Sequence, residues 1–218
     1  MGWAALTSGG KDSILAIQRA IDQGLDVDYL LTIRPQNPDS YMFHSSNLDA
    51  VAAIASVSGI KYREFQTPGD KEQELLDLDD ALQDLPVEGI ITGAIASVYQ
   101  RQRLEKIADK HQLSVYAPLW HMDPVALLRE VAERMDAIIV VTAADGLDAR
   151  FLGAHIDTPL INELKQIRAR HHIHLAGEGG EYESLALYAP FYARPITYST
   201  SVVHSGTDRS ELMLGGFS

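Results

Sequence analysis

The sequence predicts an α/β protein with a doubly wound, parallel, five-stranded sheet, followed by a smaller C-terminal α/β domain. Short apolar runs alternate with segments whose apolar residues recur at helical spacing. Glycines and prolines fall between these segments, where turns are expected. A glycine-rich stretch joins the first apolar run to the first helical segment, which is where such sheets bind ligands. We predict two domains, residues 1–122 and 123–218.

Five runs in the first domain have the apolar or alternating pattern of buried strands: residues 3–6, 27–33, 61–65, 87–92 and 114–117. Helical segments separate them, including residues 48–57 and 71–82. Strands that alternate with helices pair in parallel through right-handed crossovers. The first strand is then central, and the turns after the first and fourth strands border one crevice.

The regular pattern weakens after residue 121. Helices are predicted near residues 124–135 and 160–170, on either side of a strand at residues 137–141. Gly177–Ser184 holds three carboxylates and three glycines, so we expect neither a helix nor a packed strand there. It is either a flexible acidic loop or a site that orients an amine or holds Mg²⁺ through oxygen ligands. The tail, residues 198–218, is expected to fray.

The stretch Ser8-Gly9-Gly10-Lys11-Asp12-Ser13 has the composition of a phosphate cradle. Adjacent glycines let the backbone approach a ligand closely, and the N–H groups at a helix start attract anions. The lysine adds a positive charge and the two serines add hydroxyl donors. The aspartate would repel a bare phosphate, so it indicates a metal ion or a polar partner. A glycine-rich turn that only caps the helix is the alternative.

This stretch is not a P-loop. A P-loop needs glycine where Ala5 stands, and serine or threonine where Asp12 follows the lysine. A second glycine turn, Gly93–Ser97, leads from the fourth strand into the next helix. Gln100 and Arg103 share one face of that helix near its start, so they are predicted to line the opposite wall of the crevice.

Composition excludes several function classes. The chain has no cysteine, so it contains no disulfide, thiolate metal site, iron–sulfur cluster or cysteine nucleophile. A net charge of −12 disfavours an RNA partner, although a local basic patch at Arg101 and Arg103 stays open. No apolar run approaches the ~20 residues of a membrane helix, and no signal peptide is evident, so we expect a cytoplasmic protein.

The six-residue stretch resembles the pyrophosphate-binding loop of the N-type ATP pyrophosphatases, usually written SGGxDS. Further blocks resemble the diphthine–ammonia ligase family of that superfamily, in its order: Tyr41–His44, Gly93–Glu105, Pro118–Trp120, Gly146–Asp148 and Gly177–Ser184. The resemblance implies an adenine nucleotide alpha hydrolase-like, Rossmann-like fold. There are two departures: His121-Met122 replaces glycine and a basic residue, and Ser184 stands where threonine is frequent.

The resemblance implies an ATP-dependent amide ligase. A modified histidine of translation elongation factor 2 carries the carboxylate diphthine, which ATP adenylates with release of pyrophosphate. Ammonia then displaces AMP and forms the amide diphthamide. ATP and Mg²⁺ are the implied cofactors, and the elongation factor and ammonia are the implied partners. Membrane and nucleic acid are not expected, and a homo-oligomer stays open. The alternatives are a ligase for a small-molecule acid and a nucleotide sensor without turnover.

For that chemistry we predict three groups of site residues. Backbone N–H groups of Gly9–Ser13 hold the β and γ phosphates, with Lys11 as a point charge and Asp12 as a Mg²⁺ ligand. At the α phosphate or the substrate carboxylate we predict Ser97, Gln100 and Arg103. Candidates for holding ammonium and accepting its proton are Glu178, Glu181 and Glu183. The predicted nucleotide-binding set also includes Ser8, Gly10, Ser13, His44 and Gly93. We expect His171, His172 and His174 on a polar strand edge and assign them no metal.

Overall fold

The computed structural model of the chain describes residues 2–36, 46–68, 73–83 and 85–218, and for residues 73–75, 99 and 100 it describes the backbone alone. The predicted site residue His44, with the rest of the Tyr41–His44 block, lies outside the described residues. The Gln100 side chain also lies outside them, although its backbone is helical.

The first sheet has five parallel strands in the order β3-β2-β1-β4-β5. The strands are β1 (Gly2–Leu6), β2 (Val27–Pro35), β3 (Lys61–Thr67), β4 (Val87–Ile91) and β5 (Ser114–Tyr116). The predicted fold class is confirmed, including the central place of the first strand. The carboxyl ends of β1 and β4 are therefore neighbours, and the candidate site lies at these two ends.

Helices connect these strands: α1 (Lys11–Asp22), α2 (Asp49–Ser58), α3 (Gln73–Gln83) and α4 (Val98–Lys110). Their bounds differ by a residue or two from those predicted, because apolar spacing locates a helix better than its ends. In the part of the chain that the structure describes, no helix combines the length and apolar character needed to cross a membrane.

The second sheet is antiparallel, with strand order β7-β6-β9-β8. Its strands are β6 (Asp136–Thr142), β7 (Tyr182–Tyr188), β8 (Thr200–Ser205) and β9 (Ser210–Gly215). Helix α5 (Pro124–Arg134) contacts β6 and helix α6 (Thr158–His171), and a short 3-10 helix spans Ala149–Phe151.

Two predictions for this region were wrong. The tail does not fray, because β8 and β9 pair along their length and Leu212 and Leu214 are buried at alternating positions. The acidic segment, Gly177–Ser184, is not irregular throughout, since β7 begins at Tyr182, whose ring is buried. Its first five residues, 177–181, do form turns. Alternate residues of β9 are buried, and β7 buries Tyr182 and Leu185, although the composition near both strands is polar.

Helix α1 contacts both sheets. It contacts β1, β2 and β4 of the first sheet and β7 of the second. Its buried residues Ile14 and Ile17 belong to one apolar cluster with Ile138 of β6 and Leu185 of β7. The division at residue 122 stays a prediction, and side chains from both of its sides share this core.

A charged contact also joins α1 to α5. The Arg19 guanidinium donates to both carboxylate oxygens of Glu130, with Nε 3.1 Å from Oε1, and to the Pro118 carbonyl oxygen at 3.0 Å. Arg134 adds a contact between its Nη1 and Glu130 Oε1 at 3.3 Å. Hydrogen bonding by Arg19, with smaller effects of the nearby charges, lowers the pKa of Glu130 below its ordinary value of 4.5.

We predict that Glu130→Gln lowers the free energy of unfolding by about 1 kcal/mol at pH 7, because it removes a two-point ion pair. The native pKa of Glu130 is depressed, so its contribution is present above the unfolded pKa and is lost as pH falls through the native pKa. Chemical denaturation at pH 7 and in acid measures this. The charge-matched control Glu133→Gln, on the same helix, leaves stability unchanged. An equal Glu130→Gln deficit at both pH values would contradict the prediction.

Candidate active site

The Ser8–Ser13 stretch is a turn between β1 and α1 that its own polar groups hold in shape. Thr7 Oγ1 accepts the Gly9 N–H at 2.9 Å and lies 2.8 Å from Ser13 Oγ, which donates to the Gly10 carbonyl at 3.0 Å. Gly9 has a φ of +81°, which favours glycine, and a Cβ there would come within 3.2 Å of Leu185. The N-terminus of α1 is thereby placed at the carboxyl end of the sheet.

The turn before α4 packs directly on the first turn of α1. A Cβ on Gly93 would lie 2.6 Å from the Ser13 backbone nitrogen and 2.7 Å from the Asp12 carbonyl carbon. Only glycine allows two backbones to approach this closely. The two predicted walls of the crevice are therefore in contact, and two helix N-termini are brought together.

The Lys11 ammonium is enclosed by protein. Its side chain is 3% exposed, and Nζ donates to Asp12 Oδ2 at 2.8 Å and to the Ala176 carbonyl oxygen at 2.6 Å. Nζ also lies 5.0 Å from the centre of the Tyr182 ring. Burial lowers the pKa of Lys11, but Asp12 and the nearby Tyr182 and Glu178 raise it by more, so the net shift is upward. The group stays charged.

The Asp12 carboxylate has one oxygen bound and one open. Oδ2 accepts from Lys11, whereas Oδ1 is buried and has no hydrogen-bond partner among the described residues. A buried carboxylate oxygen without a partner is costly, and a cation would satisfy it. Asp12 therefore fits the predicted metal role, although the described residues form no group of three or more histidines or carboxylates suited to hold a metal ion.

The three glutamates of the acidic segment have different partners. Glu178 Oε1 accepts the backbone N–H groups of Ala96 at 3.0 Å and Ser97 at 3.1 Å, just before α4. Glu181 instead closes its own turn, accepting the N–H groups of His174 at 2.7 Å and Gly179 at 2.8 Å. Of the three, Glu178 is the one whose carboxylate reaches the crevice wall.

Glu183 is held by Arg209, which lies between β8 and β9. Arg209 Nη2 donates to Glu183 Oε1 at 3.1 Å and to Ser46 Oγ at 3.3 Å. The Glu183 side chain is only 13% exposed. This carboxylate is therefore paired with a cation of the protein, at the edge of the site.

The start of β7 runs along the Ser8–Ser13 turn. Ser184 Oγ accepts the Lys11 N–H at 3.1 Å, and the Ala186 N–H donates to the Gly9 carbonyl at 2.9 Å. The acidic segment thus contacts both walls, α1 through Lys11 and α4 through Glu178. Among the described predicted residues, the structure brings together Ser8–Ser13, Gly93, Ser97 and Glu178.

The remaining predicted residues lie further along α4. Arg103 and the Gln100 backbone belong to this helix. Arg101 pairs with Glu105 at 2.6 Å and lies 4.5 Å from the Trp120 ring centre. That ring anchors the Pro118–Trp120 block to α4, so the Arg101 guanidinium serves packing as well as charge.

The three clustered histidines are not on a strand edge, which corrects the prediction. His171 ends α6, and His172 follows it with a φ of +56° as the C-cap. His174 Nδ1 accepts the Glu178 N–H at 3.4 Å, which braces the acidic segment. The helix continues to His171, four residues beyond its last buried apolar residue, Ile167, so apolar spacing does not locate its end.

Sequence reasoning missed three contributors to the site: Thr7, Ala176 and Arg209. Thr7 could have been predicted, since a hydroxyl two residues before a glycine can accept the N–H of that glycine. Ala176 contributes only its carbonyl oxygen, which no residue type encodes. Arg209 lies in the hairpin that was predicted to fray, so nothing in the sequence connected it to Glu183.

We predict that Gly93→Ala abolishes pyrophosphate binding, because the added Cβ must displace the backbone of Ser13 and Asp12. Isothermal titration with inorganic pyrophosphate measures this, and circular dichroism confirms the fold. The control is Gly59→Ala at the C-cap of α2, where a Cβ meets nothing within 4 Å and only the φ of +72° is strained. Unchanged pyrophosphate affinity in Gly93→Ala would contradict this account of the turn.

Two family models match the chain, one for each half. The diphthamide synthase N-terminal domain matches residues 1–115, and the diphthamide synthase C-terminal domain matches residues 123–204. A diphthine–ammonia ligase from Rattus norvegicus is 34% identical over 93% of this chain and 85% of its own length. The Homo sapiens protein of that name is 33% identical over the same shares. The Danio rerio one is 32% identical over 92% and 88%.

A solved structure from Methanocaldococcus jannaschii, described as a predicted subunit of tRNA methyltransferase, covers 87% of this chain and 97% of its own. It has a TM-score of 0.49 and 14% sequence identity to this chain. The matches to both family models and to the sequence relatives identify the family: this chain belongs to the diphthamide synthase, or diphthine–ammonia ligase, family.

Proposed function

We propose that this chain is an ATP-dependent ligase that converts diphthine on translation elongation factor 2 to diphthamide. The diphthine carboxylate attacks the α phosphorus of ATP, and pyrophosphate leaves. Ammonia then attacks the acyl carbon of the adenylate, and AMP leaves as the amide forms. The observation that carries the proposal is the junction of α1, the turn before α4 and the acidic segment, in a chain that belongs to this family.

The phosphates of ATP are proposed to bind at the N-terminus of α1. Of the backbone N–H groups of Gly9–Ser13, those of Gly9 and Lys11 donate to Thr7 and Ser184 in the free chain. The others are proposed to bind the phosphates directly, with the hydroxyls of Ser8 and Ser13 beside them. A helix N-terminus provides oriented donors and a partial positive charge for the β and γ phosphates. The same donors stabilise the pyrophosphate as it leaves. Lys11 was predicted to add a point charge here, but its ammonium is buried against Asp12 and the Ala176 carbonyl.

Asp12 is the residue proposed to hold Mg²⁺. Its unpartnered Oδ1 is a hard oxygen ligand of the kind that Mg²⁺ prefers. Bound Mg²⁺ would neutralise negative charge on the phosphates. Lys11 orients the carboxylate by binding Oδ2, which leaves Oδ1 as the coordinating atom.

The α phosphate, or the substrate carboxylate, is proposed to bind at the start of α4. The N–H groups of Ala96 and Ser97 already donate to one carboxylate there, that of Glu178. An anion of the ligand that uses these N–H groups takes the place of Glu178. Arg103, with Gln100, lies further along the same helix and is proposed to add charge and hydrogen bonds.

Ammonia enters as ammonium at neutral pH and must lose a proton before it attacks. A carboxylate near the adenylate can hold the ammonium and accept that proton. Glu178 suits this role best, since it reaches the crevice and is released when a ligand anion replaces it. Glu181 and Glu183 also belong to the proposed set, with contacts that keep the segment in place.

Family membership does not favour the two alternatives, a ligase for a small-molecule acid and a sensor without turnover. A cytoplasmic location stays a prediction of the sequence, and the oligomeric state stays open.

The activity is tested by pyrophosphate release from Mg·ATP. We expect release to require both ammonium and elongation factor 2 that carries diphthine, with the amide detected on the factor by mass spectrometry. Unmodified elongation factor 2 is the control. Release that ignores the factor but rises with a small carboxylic acid would support the metabolic ligase. ATP binding without release under every condition would leave only the sensor.

We further predict that Glu178→Gln binds AMP about tenfold more tightly than the wild type. The neutral side chain holds the Ala96 and Ser97 N–H groups less strongly and does not repel the phosphate. Amide formation slows, because the proton acceptor is lost. Titration calorimetry and the ligase assay measure the two effects, with Glu133→Gln as the charge-matched control. Weaker AMP binding in Glu178→Gln would show that Glu178 helps to hold the nucleotide instead.

A further inference from the structure

Lys11 lies on the apolar face of α1. Ile14, Leu15 and Gln18 follow it at spacings of three, four and seven residues, and all four are buried. Residues at these spacings share one side of a helix. The Lys11 side chain is therefore directed sideways into the protein, whereas the phosphate cradle is formed by N–H groups that point along the helix axis.

The partners of the ammonium come from the second half of the chain as well as from the turn. Nζ donates to the carbonyl oxygen of Ala176, the residue just before the acidic segment, and to the Asp12 carboxylate. Tyr182, on whose ring Nζ lies, donates from its own hydroxyl to the Leu175 carbonyl at 2.8 Å. Lys11 thus contacts the chain on both sides of the turns at residues 177–181.

Removing the ammonium from this position would be unfavourable. The Ala176 carbonyl and Asp12 Oδ2 would each lose a charged donor in a buried place, and a buried polar group without a partner is costly. Burial raises the pKa of the Tyr182 hydroxyl to about 12, so the ring beside Nζ stays neutral and keeps its favourable face. Every group around Nζ suits a resident ammonium.

We propose that Lys11 is a positioning residue, which holds the acidic segment and Asp12 in their working places, and that it does not bind the phosphates of ATP. This inference rests on the proposed function, since it concerns the same site. Through Ala176 the ammonium fixes the start of the segment that carries Glu178. Through Oδ2 it orients Asp12 and leaves Oδ1 open. One cation thereby sets the metal ligand and the ammonia site together.

The test is Lys11→Met, which has a similar length but no charge, with Lys106→Met on the exposed part of α4 as the control. We expect the Kd for inorganic pyrophosphate to stay within threefold of the wild-type value. Amide formation should fall at least a hundredfold, because misplaced catalytic groups lose that much. Backbone hydrogen exchange of residues 176–184 should accelerate at least tenfold, because the segment loses its anchor.

The opposite pattern would overturn the inference. A phosphate-binding Lys11 predicts a pyrophosphate Kd raised tenfold or more in Lys11→Met, with unchanged exchange in residues 176–184. If Lys11→Met does not fold, the inference is tested on the wild-type chain instead. Nuclear Overhauser contacts between the Lys11 side chain and the Tyr182 ring should persist at saturating pyrophosphate. Their loss on binding would show that the ammonium moves to the phosphates.

Failure of the proposed function gives a different result. A wild-type chain that does not bind pyrophosphate has no phosphate cradle, whatever Lys11 does. The positioning role is then decided by hydrogen exchange in Lys11→Met and by the Lys11–Tyr182 contact in the free protein. Absence of that contact, or unchanged exchange, would overturn it.

Discussion

The structure depends on the burial of polar side chains on the apolar face of α1. Lys11 binds the Ala176 carbonyl, and Gln18 accepts the Phe191 N–H at 3.0 Å. Each side chain satisfies a backbone group from the second half, so the apolar contacts of α1 with β7 are fixed in one register. Apolar packing alone tolerates sliding, whereas buried hydrogen bonds do not. This arrangement holds the acidic segment against the turn after β1.

The fold could be predicted because it depends on repeated features. Five apolar runs and the glycine turns between them determine a parallel sheet, and a single misread residue changes none of this. The second sheet was harder, since Leu212 and Leu214 of β9 are two alternating residues in a polar tail. The burial of Lys11 could have been predicted from its spacing to Ile14 and Leu15. A lysine beside two glycines, however, is more readily interpreted as a phosphate ligand.

The site was less predictable because much of it is backbone. The partners of Glu178 are the N–H groups of Ala96 and Ser97, and Lys11 binds a carbonyl. Residue types do not encode such contacts, which arise when tertiary structure brings segments together. The three glutamates of the acidic segment show the same limit of prediction from sequence. Composition makes them equivalent, whereas their contacts differ, and only Glu178 reaches the helix that follows β4.

The Glu178 contact has a consequence for how affinity responds to salt. A vacant anion site attracts its ligand by unbalanced positive potential, which dissolved ions screen. Here the start of α4 already carries its own counter-ion, covalently attached to the chain. Under the proposed function, a ligand anion replaces the Glu178 carboxylate at these two N–H groups, so it meets a site whose positive potential the chain already balances. The contribution of α4 to affinity should therefore vary weakly with ionic strength, in contrast to that of α1.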